Sequence, residues 1–442
     1  MAWSFLPSIF LLSVAIFFLH LTGFKNLSGV KKGFSLQSGL NDKLFEFLKT
    51  KIAITSLASI SPLGKNPEEI WRNYLSEETL ISTQNFDEKA QFVATIPAEI
   101  RKEIEDLRKS EIKYKALDET VLLSILVSRQ AIKNANWKTG DNFGINIGSS
   151  RGATQLFEKH HKEFLETGKT STLASPTTTL GNISSWVAHD LKNNGPEISH
   201  SITCSTALHS VLNAVAWLQS GMATKFLVGG SEAPLTAFTI AQMHALKIYA
   251  KDSSNSEQAK QTAEFPCRAF DFTKTKNSMV LGEAASVACL ELGENPKALA
   301  YIEGIGYATD DIEHNISISD EANCFQKSMK MALQNTNLEE VDAIVMHMPG
   351  TLKGDTSEYK AIQKVFTENV PMLTTNKWKV GHTFGASGML NMELAILMMQ
   401  HNQFIGVPFA EAQIPRKEIK KVLINAVGFG GNAVSILLSK AF

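Results

Sequence analysis

Strand-like spacing gives way to helical spacing at a cysteine within the segment Glu197-Ile-Ser-His-Ser-Ile-Thr-Cys-Ser-Thr-Ala-Leu-His-Ser-Val-Leu-Asn-Ala-Val-Ala-Trp-Leu-Gln-Ser-Gly221. Isoleucines alternate with small polar residues before Cys204, and apolar residues recur every three or four positions after it until Gly221. We therefore predict Cys204 at a helix N-terminus, where free N–H groups and the helix dipole stabilise a thiolate. This position predicts a thiol pKa below about 8.5. A buried structural cysteine is the alternative.

Strand-like and helical segments alternate along most of the chain. Strand-like spacing covers residues 51–64, 143–148, 225–230, 341–346 and 432–439, and helical spacing covers 66–75 and 117–136. This alternation predicts an α/β layer architecture with a largely parallel sheet. It restarts near Ala298, so we predict two α/β halves, residues 51–296 with Cys204 and residues 297–442.

The N-terminal residues are strongly apolar. Residues 3–24 contain no Asp, Glu, Lys or Arg and are long enough to span a bilayer. No basic segment precedes them and no small-residue cleavage site follows, which favours an uncleaved membrane anchor over a removed signal peptide. Lysines in the linker over residues 25–50 then predict a cytoplasmic catalytic domain anchored to the inner membrane. An amphipathic or accidental extension of a soluble enzyme stays an open alternative.

Composition narrows the function classes. The net charge of −1 and the lack of a basic cluster argue against a nucleic-acid partner. The four cysteines, at positions 204, 267, 289 and 324, show neither CxxC nor His-paired spacing. We therefore expect no metal and no structural disulfide, as is usual in a reducing compartment.

Two histidines join Cys204 as candidate site residues. The predicted strand over 341–346 delivers His347 at its carboxyl end, the edge where open α/β sheets bind ligands. His382 follows Lys377 by five residues, and a glycine-rich turn over 425–432 precedes the last strand. A single strand-end histidine is more often structural. Two histidines together with a lysine and a positioned cysteine indicate a catalytic site.

Ordered motifs around these residues resemble the decarboxylating, Cys-His-His type of β-ketoacyl-(acyl-carrier-protein) synthase in the thiolase superfamily. The resemblance covers residues 51–442. Its motifs are Thr203-Cys-Ser-Thr206, Gly229-Gly-Ser-Glu-Ala233, Cys267-Arg-Ala-Phe-Asp271, Gly282-Glu283, His347-Met-Pro-Gly-Thr351, Gly354-Asp355, Gly381-His382 and Gly428-Phe-Gly-Gly431. The resemblance implies a thiolase-like five-layered αβαβα fold of two similar halves, no cofactor, and a dimer with active sites near the subunit interface.

The resemblance also implies a reaction. Cys204 would take an acyl chain from an acyl carrier protein as a thioester, and the N–H groups of Cys204 and Phe429 would form an oxyanion hole. His347 and His382 would hydrogen-bond the malonyl thioester oxygen while decarboxylation turns it into an enolate. The enolate carbon would then attack the acyl thioester.

Four further residues have implied supporting roles. Lys377 would order the second histidine, and Asp355 and Glu358 resemble supporting acidic positions. Thr351 would contact the phosphopantetheine arm. For the three charged residues, a structural ion pair or a solvated charge is an equally consistent interpretation.

Departures from the family pattern indicate a divergent synthase. The usual His-Gly-Thr-x-Thr reads His-Met-Pro-Gly-Thr over residues 347–351, so one of two hydroxyls is lost, and Pro349 cannot donate a hydrogen bond. Residues 276–279 lack the expected Gly-Phe, and Asn432 follows Gly431 without the usual threonine. We therefore predict a specialised fatty-acid-like or polyketide (polyene-type) pathway. A thiolase or an initiating synthase is disfavoured by the motif over 381–385, and a non-catalytic subunit like a chain-length factor, paired with a ketosynthase-like partner, is the alternative.

Overall fold

The computed structural model describes residues 50–441 except residues 139, 181, 252–263, 312–318, 412 and 414–416. The first half contains β1 Ile52–Ile60, α1 Pro67–Leu75, β2 Ser82–Phe86, β3 Lys89–Ala94, α2 Ala98–Ser110, α3 Glu119–Ala135, β4 Gly144–Gly148, α4 Thr154–Thr167, α5 Ala174–Thr178, α6 Asn182–Leu191, β5 Glu197–Ile198, α7 Thr206–Gln219, β6 Lys225–Glu232, α8 Ala237–Ala245, β7 Leu281–Gly282 and β8 Ala284–Leu292. The second contains β9 Ala300–Thr309, α9 Asn323–Ala332, β10 Ala343–Val345, α10 Leu352–Phe366, β11 Met372–Thr374, α11 Lys377–Val380, α12 Ser387–His401, β12 Lys421–Gly428 and β13 Asn432–Lys440. The strands and helices predicted from spacing are confirmed, with ends shifted by a few residues.

Within the described residues, ten strands form one sheet in the order β11-β10-β12-β13-β9-β1-β8-β6-β4-β5. Each half contributes five adjacent strands to this sheet. If the five strands of a half are numbered along the chain, both halves have the same spatial order, 3-2-4-5-1. The halves join where β1 pairs with β9, Ile52 opposite Ile302. Two similar halves are therefore confirmed. The boundary at residue 296 stays a prediction.

The expectation of a largely parallel sheet is wrong. Only the pairs that β4 forms with β5 and β6, and β10 with β11 and β12, are parallel, and the other five pairs are antiparallel. The strands β12 and β13 show why, since only residues 429–431 separate them. A parallel neighbour needs a crossover of a dozen or more residues, so such a short link returns the chain antiparallel.

Helices pack in three layers around the two half-sheets. The helices α7 and α12 contact each other and strands of both halves, α3 and α6 cover the outer face of the first half, and α9 covers that of the second. Side chains from Ser387 to Met399 of α12 are all buried, as expected for a helix that is apolar on most of its surface. The αβαβα layering is therefore confirmed.

The predicted membrane anchor cannot be located in the described structure. Residues 3–24, and the linker as far as residue 49, lie outside the described residues. Within the described part of the chain, every helix is too short or too polar to cross a membrane. The anchor and the location of the domain relative to a membrane stay predictions.

Candidate active site

One cavity is lined by all three of the residues that the sequence predicts to be catalytic. Cys204, His347 and His382 all line a space of about 260 Å³, and all three are buried. The centroids of the two imidazole rings lie 5.3 Å apart, and the ring planes make an angle of 84°. Most of the remaining wall is apolar and includes Met243, Leu246, Ile248, Met279, Phe325, Phe384 and Val427. The cavity thus combines a thiol, two imidazoles and an apolar wall suited to an aliphatic chain.

A tight turn presents Cys204 at the start of α7. Ser205 is the N-cap residue, and the helix begins at Thr206. The Thr206 hydroxyl accepts a hydrogen bond from the Ile202 N–H at 2.9 Å and donates one to the Thr203 carbonyl at 2.6 Å. Thr203 has a φ of 45°, a conformation that β-branched residues rarely adopt. The predicted position of Cys204 beside a helix N-terminus is confirmed.

The predicted acidity of Cys204 is wrong. Burial, together with the nearby Glu232, raises the pKa of its thiol to about 12, although Lys377 opposes this shift. The side chain packs in an apolar cluster with Met243, Met279 and Phe384, and Cys204 is only 5% exposed. Loss of solvation of the thiolate therefore outweighs the favourable helix N-terminus. At neutral pH the resting thiol carries its proton.

The backbone of His347 is held by a buried carboxylate. His347 lies two residues beyond the end of β10. Its N–H donates to Glu358 Oε1 at 3.0 Å, and the N–H of Met348 donates to Glu358 Oε2 at 2.8 Å. Burial raises the pKa of Glu358 to about 7, although these two N–H donors and the Asn425 amide oppose the shift. Glu358 does not line the cavity, so it holds the His347 backbone from outside the cavity.

The backbone of His382 is held by residues 280–282, which include strand β7. The His382 N–H donates to the Val280 carbonyl at 2.7 Å, and the His382 carbonyl accepts from the Gly282 N–H at 3.1 Å. Gly381 before it has a φ of 67°, and a Cβ there would lie 3.0 Å from the Val280 carbonyl oxygen. Glycine therefore fits this turn where other residues would be strained.

Both imidazoles are neutral. Burial lowers the pKa of His382 to about 3, with a further contribution from the Lys377 ammonium. Burial also lowers the pKa of His347 well below its usual range, assisted by His382 and Lys377. Among the described residues neither Nδ1 atom has a hydrogen-bond partner. Each ring can therefore offer one N–H donor to a negatively charged group.

Lys377 and Asp355 lie behind the cavity wall. Lys377 Nζ donates to the amide oxygens of Asn376 at 3.0 Å and Asn391 at 2.9 Å. Asp355 forms a buried ion pair with Lys274 at 2.6 Å and accepts the Gly350 N–H at 3.0 Å. Asp355 therefore fixes the loop after His347, which fits the structural ion-pair interpretation.

Thr351 and Phe429 both line the cavity. The Thr351 hydroxyl accepts the Gly354 N–H at 3.2 Å and so caps helix α10. Phe429 lies in the turn between β12 and β13, directly after Gly428. A Cβ on Gly428 would overlap the Thr203 hydroxyl and lie 2.6 Å from the Ile202 carbonyl oxygen. This close approach brings the Phe429 turn against the Cys204 turn.

Two family models match consecutive parts of the chain. The model described as "Beta-ketoacyl synthase, N-terminal domain" matches residues 49–295, and "Beta-ketoacyl synthase, C-terminal domain" matches residues 299–408. The chain belongs to the β-ketoacyl synthase family. It is therefore a condensing enzyme of the acyltransferase class. The first match contains Cys204, and the second contains His347, Lys377 and His382.

Known β-ketoacyl synthases are similar along their whole length. The chain is 26% identical over 420 residues to "3-oxoacyl-[acyl-carrier-protein] synthase 2" of Staphylococcus aureus (strain COL), covering 88% of this chain and 98% of the relative. Two solved structures also match, and each match covers 89% of this chain and 100% of the chain in that structure. The ishigamide ketosynthase/chain length factor has 18% identity and a TM-score of 0.74. A type II polyketide synthase acyl-carrier protein in complex with its ketosynthase has 18% identity and a TM-score of 0.73. The thiolase-like fold is thus shared, and the synthase is divergent.

Sequence reasoning missed Asn391 and Asn376, which bind the Lys377 ammonium. Asn391 lies within the run 389–399 of α12, where Glu393 is the only other strongly polar residue. A buried amide in an apolar helix costs free energy unless it is hydrogen-bonded, so this exception to the apolar run was a usable signal.

Proposed function

We propose that this β-ketoacyl synthase catalyses decarboxylative Claisen condensation between an acyl chain on Cys204 and malonyl-acyl carrier protein, in a specialised fatty-acid-like or polyketide (polyene-type) pathway. The observation that carries the proposal is that a thiol and two neutral imidazoles line one largely apolar cavity. A Claisen condensation needs a covalent acyl acceptor and donors for an enolate oxygen, and these groups can supply both.

The first step is acyl transfer to Cys204. The sulfur attacks the carbonyl carbon of the acyl-carrier thioester, and the N–H groups of Cys204 and Phe429 stabilise the oxyanion. The carrier C–S bond then breaks, and the carrier thiol leaves with the proton that Cys204 gives up. Because the resting thiol is neutral, this proton must leave during the attack, and the Lys377 cation favours its release.

The second step generates the carbon nucleophile. Malonyl carrier protein places its thioester oxygen between His347 and His382, and its phosphopantetheine arm passes Thr351. The bond to the terminal carboxylate breaks, carbon dioxide leaves, and the electron pair forms an enolate whose oxygen accepts both imidazole N–H groups. The enolate carbon attacks the Cys204 thioester, the C–S bond breaks, and the sulfur takes up a proton.

A second subunit is part of the proposal, either another copy of this chain or a ketosynthase-like partner. Helix α4 supports it, because its apolar side chains Phe157, Phe164 and Leu165 are 62%, 51% and 70% exposed. Light scattering should give a dimer mass, alone or with a co-expressed partner, and Phe164→Glu should lower it. Lys162→Glu on the same helix is the matched control, since its side chain is 77% exposed.

The decisive experiment is incubation of the purified protein with acyl- and malonyl-carrier protein, with and without a partner subunit. Intact-protein mass spectrometry should show an acyl adduct on Cys204, and product should appear after malonyl carrier protein is added. Absence of the adduct under both conditions would reject the proposal. Cys204→Ala should abolish product formation. A scaffold like a chain-length factor would keep supporting product formation with this substitution.

A further inference from the structure

One side chain outside the cavity joins the three segments that carry the site. The Asn391 amide accepts a hydrogen bond from Lys377 Nζ at 2.9 Å. Its nitrogen donates to the carbonyl oxygen of Met346 at 3.2 Å and to that of Asn425 at 3.4 Å. Met346 directly precedes His347, Lys377 begins the segment that leads to His382, and Asn425 lies in β12, which leads to Phe429.

The three contacts use both ends of the amide. An ammonium can only donate and a carbonyl can only accept, so the oxygen of Asn391 must face Lys377 and its nitrogen must face the two carbonyls. Aspartate at this position could bind the ammonium but would place lone pairs against both carbonyl oxygens. Leucine would leave all three groups without this partner. An amide is therefore the side chain that fits.

Asn391 is also one of the two uncharged groups that bind the Lys377 ammonium. Among the described residues, no carboxylate lies within ion-pair distance of the Lys377 ammonium, and its partners are two neutral amides. Burial lowers the pKa of Lys377 to about 8. The titratable groups around it are Glu358 and Asp355 from α10, Cys267 and Cys204, and the two histidines His347 and His382.

We propose that Asn391 is a positioning residue of the condensation, which holds the His347 and His382 segments in register and leaves the Lys377 ammonium without a carboxylate partner. This inference rests on the proposed function. Asn391 is fully buried and does not line the cavity, so it acts through other residues and not on the substrate. Loss of its donors frees the His347 segment, and a displacement of about 1 Å can cost about 100-fold in rate.

The test compares Asn391→Asp and Asn391→Leu with Asn193→Asp. Asn193 is a matched control, because it is also a buried amide that donates to a carbonyl, that of Phe143 at 2.7 Å, and it does not touch the site. Two half-reactions are followed by mass spectrometry, acylation of Cys204 and decarboxylation of malonyl carrier protein. We expect decarboxylation to fall about 100-fold in both Asn391 variants, acylation to fall less than about tenfold, and Asn193→Asp to leave their ratio unchanged.

The second measurement needs no activity. Burial lowers the pKa of Lys377 from 10.5 to about 8 in the folded protein. Between these pH values the unfolded chain binds more protons at this lysine than the folded protein, so the free energy of unfolding rises with pH. In Asn391→Asp the carboxylate favours the ammonium and raises its folded pKa, so that rise should shrink. It should persist in Asn193→Asp.

Two outcomes would overturn the inference with the proposed function intact: half-reactions that fall by the same factor in the Asn391 variants, or an unchanged pH slope of unfolding in Asn391→Asp. If the wild-type protein forms no acyl adduct, the proposed function itself fails. The pH dependence of the free energy of unfolding would then still show whether Asn391 affects the pKa of Lys377.

Discussion

The imidazole rings of His347 and His382 stand at 84° to each other, 5.3 Å apart between centroids, at the cavity that also receives Cys204. One ring comes from the carboxyl end of β10 and the other from the turn after α11. Since burial keeps both rings neutral, they can direct two N–H donors at one developing negative charge. That arrangement suits an enolate oxygen better than a proton-transfer step.

Removal of either histidine should slow malonyl decarboxylation much more than acylation of Cys204. We expect His347→Ala and His382→Ala each to slow malonyl decarboxylation by about 100- to 1,000-fold, because each loses one donor to the enolate. Acylation of Cys204, followed by intact mass, should change by less than about tenfold. His189→Ala, an exposed position on α6, is the control and should leave both rates unchanged. Equal losses in acylation and decarboxylation would contradict the assignment.

The raised pKa of Cys204 predicts how the thiol reacts with iodoacetamide. Only the thiolate is alkylated, so the rate should climb roughly tenfold per pH unit from pH 7 to 10, since the pKa is about 12. A rate that levels off near pH 8.5 would indicate an ordinary thiol. Mass spectrometry of the intact protein measures the rate, and Cys204→Ser gives the background from the other three cysteines.

The buried Lys274–Asp355 pair should stabilise the loop after His347. Lys274→Met leaves the fully buried Asp355 without its cation, which should cost about 3–5 kcal/mol of unfolding free energy. Urea denaturation measures the loss. Lys162→Met, which removes an exposed lysine from α4, should leave the denaturation midpoint where it is. A loss for Lys274→Met no larger than that of the control would show that the pair contributes nothing.

The close approach at Gly428 should matter for acylation. Gly428→Ala places a Cβ against the Thr203 hydroxyl and so displaces the Phe429 turn from Cys204. We expect acyl-enzyme formation to fall about 100-fold, as for loss of an oxyanion donor. Gly406→Ala is the matched control, because its added Cβ would meet only the Phe404 ring at 3.8 Å. Wild-type acylation in Gly428→Ala would contradict this explanation.

Much of the fold could be predicted because its signals are local. The change of spacing at Cys204 placed the start of α7 within two residues, and the apolar run before His347 placed β10. Strand direction was predicted less well, because it depends on connection length and on partners distant in the chain. The roles of Asp355 and Glu358 stayed ambiguous for the same reason, since their donors lie on other elements.

Local sequence patterns were sufficient to predict the spacing of strands and helices, the division into two α/β halves, and the candidate residues Cys204, His347 and His382. Those properties follow from neighbours within one or two turns of chain. The protonation states and the supporting contacts could be established only from the folded structure. The thiol of Cys204 is neutral because Met243, Met279 and Phe384 exclude water from it. Desolvation depends on side chains that are far apart in sequence. The pKa of the Cys204 thiol could therefore be inferred only once the fold showed which side chains surround it.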